Sequence, residues 1–463
     1  MSEYILNEGM SGLAVESFFR ENAAIGNHIE AVVVWKNGQV VAKAAPQPYS
    51  VYDQGELYSL SKSFCSTAVG MLIDEGRLSL DTKIADVFPK EAQGGDENLI
   101  KATVRDLLTM RTGHAACVMP ALSRALDPIG AFFRQKTAYQ PGERFVYNTA
   151  ATYILSAAVQ KITGMTVADY LEPRLFEPLG IRGQYWNRCA GISEGGIGLH
   201  LSADDIWKLG VLYLQGGVWE GKRLLSEEWV KDAQAPHADN SMNGTPDWCA
   251  GYGYQFWNNA GDGFRGDGAF GQLCMVLPQK NAVVAVRALV KDMQREVELV
   301  QKLAEEIDSG VKGVGRLPEN EPLPGGDISA LCGLYRCEWN GFGWTQLRVC
   351  AEEGELVLRM QDGEKAQEMR FGAGKWAESD FAAKRYCPKL VGLQDNLYAE
   401  RIRFAGSYEA TEGGARMVCL YRSTPHVEQM ELKFENETIE MRWTPAENRA
   451  QGADVLRARR IGD

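Results

Sequence analysis

Toward the C-terminal end of the chain, apolar and polar residues alternate strictly. Met430, Leu432 and Phe434 are interleaved with Glu431, Lys433 and Glu435, and Ile439, Met441 and Trp443 continue the alternation beyond a turn at Asn436. A period of two places one set on each face of a strand, so this stretch predicts a half-buried antiparallel hairpin. Similar runs at Gln346–Val349, Glu355–Met360 and Met417–Tyr421 extend the pattern to a small all-β barrel or sandwich. The first two thirds of the chain have a different texture. Ile29–Trp35 and Gln39–Lys43 flank Asn37-Gly38, a dipeptide that tolerates the two positive φ angles of a type I′ hairpin turn. A second hairpin is predicted from Gln272–Leu277 and Ala282–Leu289. Between the two pairs the pattern is helical, as at Ser66–Glu75 and Ala151–Ile162, and another helical segment runs from Lys291 to Asp308. Strand pairs at both ends with helices between them predict an α/β (α+β) fold: a sheet with a helical insertion. The texture changes at Lys312–Asp327, where four glycines and three prolines interrupt both patterns. The expected organisation is a first domain over 1–311, a linker over 312–327 and a β-rich domain over 328–463.

Charge narrows the partners. The 49 Lys and Arg residues are outnumbered by 61 Asp and Glu, a net charge of −12, which argues against nucleic acid or an anionic membrane because both require a basic face. Residues 1–19 carry Glu3, Glu8 and Glu16 and lack the basic start and apolar stretch of a secretory signal. No apolar run approaches the roughly 18 residues of a membrane span, so a cytoplasmic location is expected. The ten cysteines are spread widely along a long chain and read as reduced thiols. Cys332, Cys337 and Cys350 lack paired C-x-x-C spacing, and no metal is expected there.

The segment Leu57–Gly76, LYSLSKSFCSTAVGMLIDEG, places Ser59 three residues before Lys62 at the start of an apolar-periodic helix. Residues three apart share a helix face, so the Lys62 amine can approach the Ser59 hydroxyl. A serine hydroxyl is a weak nucleophile until a base takes its proton, and a desolvated lysine can be neutral enough to do so. Gly76 supplies a helix stop. On its own S-x-x-K is a common spacing, and a surface lysine one turn from a capping serine has the same appearance.

The surrounding sequence makes it specific. YSLSKSF, GMLIDEGRLSLDTKI (Gly70–Ile84), VRDLLTMRTGH (Val104–His114), PGERFVYNTAATYILSAAVQKITG (Pro141–Gly164), EPLGI (Glu177–Ile181), GGIGLHLSADDIWKLG (Gly195–Gly210) and GYGYQFW (Gly251–Trp257) follow one another in order. Together they resemble the serine β-lactamase and penicillin-binding-protein superfamily, and within it the class C β-lactamase, esterase and D-aminopeptidase branch, over roughly residues 20 to 308. The resemblance implies a β-lactamase-like fold, with Ser59 as nucleophile, Lys62 as its partner and no cofactor. The family's second motif is a tyrosine followed two positions later by asparagine. Tyr147 takes the tyrosine place, Thr149 stands where the asparagine belongs, and Asn148 lies between them. Tyr147, as phenolate or phenol, would share the Ser59 proton and return it to the leaving group.

The third motif begins with Lys or His, and its best match is Gly266-Asp267-Gly268-Ala269, without the cation. Gly268 would let substrate approach the backbone, and the Ala269 N–H would join that of Ser59 in an oxyanion hole. Arg265 stands next to the vacant cation place, and strand alternation is expected to turn it to the opposite face. Ala269, Gly268, Thr149 and Asn148 are therefore the candidate oxyanion and substrate contacts. Losing the cation removes an anchor for a substrate carboxylate, so the expected activity is that of an esterase-like or peptidase-like serine hydrolase on a small ester, amide or peptide, more than of an efficient β-lactamase. The alternative is a catalytically weakened ligand-binding or sensing protein. His114 and His200 read as structural hydrogen-bonders, Ser202–Asp205 as a helix cap, and GGIG at Gly195–Gly198 lacks the Lys-Ser/Thr of a phosphate loop. The β-rich domain either lines the site or acts as a stabilising or dimerising module.

Overall fold

The computed structural model describes residues 3–7, 9–307, 313, 315–340, 343–363, 365–381, 402–445 and 454–462. The chain divides into two compact units, one comprising 1–46 and 50–318, the other 47–49 and 319–463.

The first unit is built on a seven-stranded sheet: β1 (Glu3–Leu6), β2 (His28–Lys36), β3 (Gln39–Ala45), β4 (Trp257–Asn258), β5 (Phe264–Gly268), β6 (Gln272–Leu277) and β7 (Ala282–Leu289), in the order β1-β3-β2-β7-β6-β5-β4. Neighbours run antiparallel throughout. The β2–β3 turn has Asn37 at φ 47° and Gly38 at φ 93°, the left-handed pair that Asn-Gly predicts. The second predicted hairpin is β6–β7, with the boundaries read from the sequence. The sheet joins segments more than 200 residues apart, because β7 pairs with β2. Every residue of β6 and β7 is buried, so both sheet faces are covered. On one face, Val15, Phe18 and Phe19 of α1 (Gly12–Ala24) share a core with Val32, Val34, Val284 and Val286 of the sheet. Val297, Val300 and Leu303, from the helix Met293–Glu305 that follows β7, complete it.

Between β3 and β4 lies the helical insertion. Its central element is α2 (Ser61–Asp74), buried continuously from Ser61 to Leu72, which explains why its sequence shows little amphipathic contrast. Gly76 follows at φ 70°, and the Gly76 and Arg77 amides close the helix end on Ile73 and Leu72 carbonyls. Further along lie α3 (Thr149–Thr163) and α4 (Ala203–Leu214). Ser202 is the N-cap of α4 as expected, but its hydroxyl bonds the Asp205 carboxylate at 2.6 Å and makes no bond to a helix amide.

The second unit resolves the barrel-or-sandwich alternative as a barrel. Nine strands, Gly333–Cys337, Gln346–Glu352, Glu355–Asp362, Lys365–Gly372, Ile402–Thr411, Gly414–Tyr421, Val427–Glu435, Thr438–Pro445 and Asp454–Gly462, form a closed ring. The ring is completed where Gly372 pairs with Ser407, and Ala377–Phe381 adds a tenth strand along Ile402–Thr411. The strict alternation of the sequence is the inside and outside of this ring. Met430 faces Trp443 and Leu432 faces Met441 across the hairpin, all four buried, while closure satisfies the backbone groups an open sheet would leave at its edges. Among the described residues no helix is long and apolar enough to cross a membrane. The nine cysteines among them are free thiols.

Candidate active site

Ser59 lies in a short 3₁₀ turn, Tyr58–Leu60, that leads directly into α2, so the predicted helix begins two residues later than Ser59 itself. The i, i+3 relation survives the change of pitch: Lys62 Nζ is 3.0 Å from Ser59 Oγ. Lys62 is 1% exposed, and two further acceptors fix its amine, the Gly196 carbonyl at 2.7 Å and Thr149 Oγ1 at 3.3 Å. Burial in this apolar setting pulls the amine from 10.5 down to about 7, against smaller opposing pulls that include Asp267. Lys62 is therefore close to half neutral near pH 7.

Tyr147 closes the other side. Its ring stacks on Trp257 with centroids 5.4 Å apart, meets Tyr252 edge-on at 6.3 Å, and passes 4.9 Å from Lys62 Nζ. Burial, reinforced by the Asp267 charge, pushes its phenol well above the ordinary tyrosine range, and a hydrogen bond with Ser59 opposes this only weakly. Of the two forms considered from the sequence, phenolate and phenol, the surroundings favour the phenol. Ser59, Tyr147, Trp248, Trp257, Asp267 and Ala269 line one cavity of about 510 Å³.

Strand β5 supplies the wall opposite Ser59. Its even positions turn toward the α2 segment: a Cβ at Gly266 would lie 2.5 Å from Leu60 Cδ1 and 2.7 Å from Ser63 Oγ, and one at Gly268 would overlap the Leu57 carbonyl oxygen. The odd positions, Asp267 and then Ala269, face the cavity. Tyr58 and Phe270, flanking Ser59 and Ala269, are both left-handed, at φ 47° and 67°, and pack edge to face at 5.4 Å. Sparsely populated backbone of this kind, held by mutual packing, fixes the two segments against each other. Gly268→Ala is accordingly expected to lower the melting temperature by several degrees, since its methyl group meets main chain that cannot rotate away; a thermal melt reads this directly, and an unchanged transition would show that β5 can move aside.

The structure brings together Ser59, Lys62, Tyr147, Thr149 and the Gly268-Ala269 segment, but places Asn148 elsewhere. Asn148 is fully buried as the N-cap of α3, its side-chain oxygen accepting from the Ala150 and Val118 amides at 3.1 and 3.2 Å while its nitrogen lies 3.3 Å from His114 Nδ1. It cannot also present its amide to a substrate, because the cap consumes it. Thr149, the first residue of α3, contributes its hydroxyl to the Lys62 amine. His114 and His200 are buried and pushed down to about 4 and about 3 by loss of solvent, which suits the structural reading.

The sequence reading missed two participants. The first is Gly196, whose carbonyl holds Lys62; the signal was the Gly195-Gly196 pair, where a Cβ at Gly196 would crowd Thr149 Cγ2 at 2.7 Å. The second is Asp267. Arg265 does turn away from the Gly266 side, as alternation requires, and so shares the face of Asp267, bonded to it at 3.1 Å and packed on the Trp248 ring without lining the cavity itself.

A mixed fold with an antiparallel sheet, a serine and a buried lysine at one helix start, and a tyrosine across from them define the class of hydrolases built on the β-lactamase fold. The chain belongs to the beta-lactamase family, whose model matches residues 22–303. It is similar to the 6-aminohexanoate-dimer hydrolase of Paenarthrobacter ureafaciens, at 25% identity over 285 residues, 55% of this chain and 71% of that protein. Among solved structures it is similar to a penicillin-binding protein homologue from Caulobacter crescentus, with a TM-score of 0.55, 17% identity, and coverage of 66% of this chain and 100% of that one. A family VIII carboxylesterase matches with a TM-score of 0.53 at 15% identity, covering 66% of this chain and 100% of that one.

Proposed function

We propose that the first unit is a serine hydrolase acting through a covalent acyl-enzyme on a small ester, amide or peptide, with the hydrolase domain spanning 1–311, a connection over 312–327 and a β-domain over 328–463. The observation that carries this is the Ser59–Lys62 contact at 3.0 Å with the amine held near half-neutral by burial. Neutral Lys62 takes the Ser59 proton as Oγ attacks the carbonyl carbon. The Ser59 and Ala269 N–H groups receive the developing oxyanion, and Tyr147 as phenol passes a proton to the leaving group while the Lys62 ammonium gives up the Ser59 proton to restore the phenol. Water then releases the acyl group by the same proton path in reverse. The names of the similar proteins, a dimer hydrolase and a carboxylesterase, support amide and ester bonds as targets.

The test is intact-protein mass after a fluorophosphonate probe, with the adduct mapped to the peptide holding Ser59, beside turnover of p-nitrophenyl butyrate. One adduct with steady multiple turnover is expected. A burst of one product equivalent would leave a covalent binding or sensing protein, and absence of labelling would overturn the reading. The pH dependence follows from Lys62. Below about pH 7 its amine is protonated and cannot accept from Ser59, so kcat/KM is expected to fall about tenfold per pH unit on the acid side and to level off above it. A profile flat from pH 5 to 8 would remove Lys62 from the role of base.

A further inference from the structure

We propose that Asp267 is a specificity-determining residue that selects substrates carrying a positively charged amine; this rests on the hydrolase reading of the same cavity. Asp267 occupies the wall that also holds Ala269, in the cavity that opens onto Ser59. The only described guanidinium beside it does not reach the cavity. Arg265 is 0% exposed, donates from Nε to Asp267 at 3.1 Å, from Nη1 to Asn259 Oδ1 at 3.1 Å and from Nη2 to the Asp247 carbonyl at 2.9 Å, and lies 4.4 Å over the Trp248 ring. Its donors are spent on these partners, so what the cavity meets is the carboxylate edge of the pair. Burial pushes the Asp267 carboxyl up, and Arg265, Lys62 and the Trp257 hydrogen bond pull it back toward the charged form.

No cation can be restored at Gly266 without displacing Leu60 and Ser63. The rest of the lining combines the aromatic side chains Trp248, Trp257 and Tyr147 with Asn243, Thr245 and Met293, and Trp257 also hydrogen-bonds the Asp267 carboxylate and so holds it in place. A carboxylate oxygen in this wall accepts N–H donors from an ammonium group and attracts its charge, whereas a substrate carboxylate would be repelled by it. The cavity therefore discriminates by repulsion as well as attraction.

The test titrates the intact chain at pH 7.5 with hexylammonium, hexanol and hexanoate by calorimetry, followed by competition of each against fluorophosphonate labelling. Hexylammonium is expected to bind at least tenfold more tightly than hexanol, with hexanoate weakest, and to slow labelling. In Asp267→Asn the ammonium-to-alcohol ratio is expected to drop at least tenfold. Equal or tighter binding of hexanoate, or a ratio unmoved by Asp267→Asn, would overturn the proposal. Should Asp267→Asn fail to fold with Arg265 left unpaired, the ranking of the three ligands on the unaltered chain still decides. A chain that ranks the ligands as expected but is neither labelled nor active would instead sink the hydrolase reading, and one that is active without the ranking would sink only the amine proposal.

Discussion

Ser59→Ala is expected to lose fluorophosphonate labelling completely and to lower kcat/KM on p-nitrophenyl butyrate by at least about a thousandfold, the scale on which removal of a covalent nucleophile acts when the rest of the site remains. The rest does remain in this site. Ser59 is only half-buried, its hydroxyl is one of three acceptors around Lys62, and the other two, Gly196 and Thr149, stay in place. The fold should therefore tolerate the change within about 1 kcal/mol, so loss of activity will not be confused with loss of structure. Residual turnover above water would come from the backbone donors and from binding. Turnover within tenfold of the unaltered chain would place the nucleophile elsewhere and dismiss the acyl-enzyme mechanism.

How much of this was legible in the sequence depends on how local each feature is. The β6–β7 hairpin and the Asn37-Gly38 turn were readable because their pairing partners are neighbours in the chain and turn chemistry fixes the register. The barrel hairpin at Met430–Trp443 was readable because each strand has one wet and one dry face. The junction of β7 with β2 was not: both strands are buried on both sides, and nothing in a continuous apolar run names its partner. In the site, Ser59 and Lys62 are one helical turn apart and announce themselves. Asn148 shows the limit. Its amide looked like a substrate contact from its place in the motif, yet the local demand of a helix N-terminus for a cap consumed it. Asp267 was missed for a related reason. The alternation along β5 was read correctly, but which of its two faces borders the cavity is decided by packing against Leu57 and Leu60, which are distant in sequence from the strand.

Lys62→Met separates catalysis from stability more sharply still. The amine is expected to be worth at least about a thousandfold in kcat/KM, since without it nothing adjacent to Ser59 Oγ takes up its proton near neutral pH: burial keeps the Tyr147 phenol protonated. The acid limb near pH 7 should vanish with it. For stability the sign reverses. In the unfolded chain Lys62 titrates near 10.5, and in the folded chain near 7, so between these values the unfolded state binds the extra proton and the unaltered fold gains stability as pH rises. Below pH 7 both states are charged and the full cost of holding the cation in a buried site is present, on the order of 5 kcal/mol. A methionine of similar length has no such cost, though it leaves the Gly196 carbonyl without its donor. Lys62→Met is thus expected to melt above the unaltered chain at pH 6, with the gap closing steadily toward pH 10. Melting temperatures of both chains across that range, read beside ester turnover, settle the matter. A gap independent of pH would mean that the amine is not depressed in the fold, and activity within tenfold would mean that Ser59 has another base.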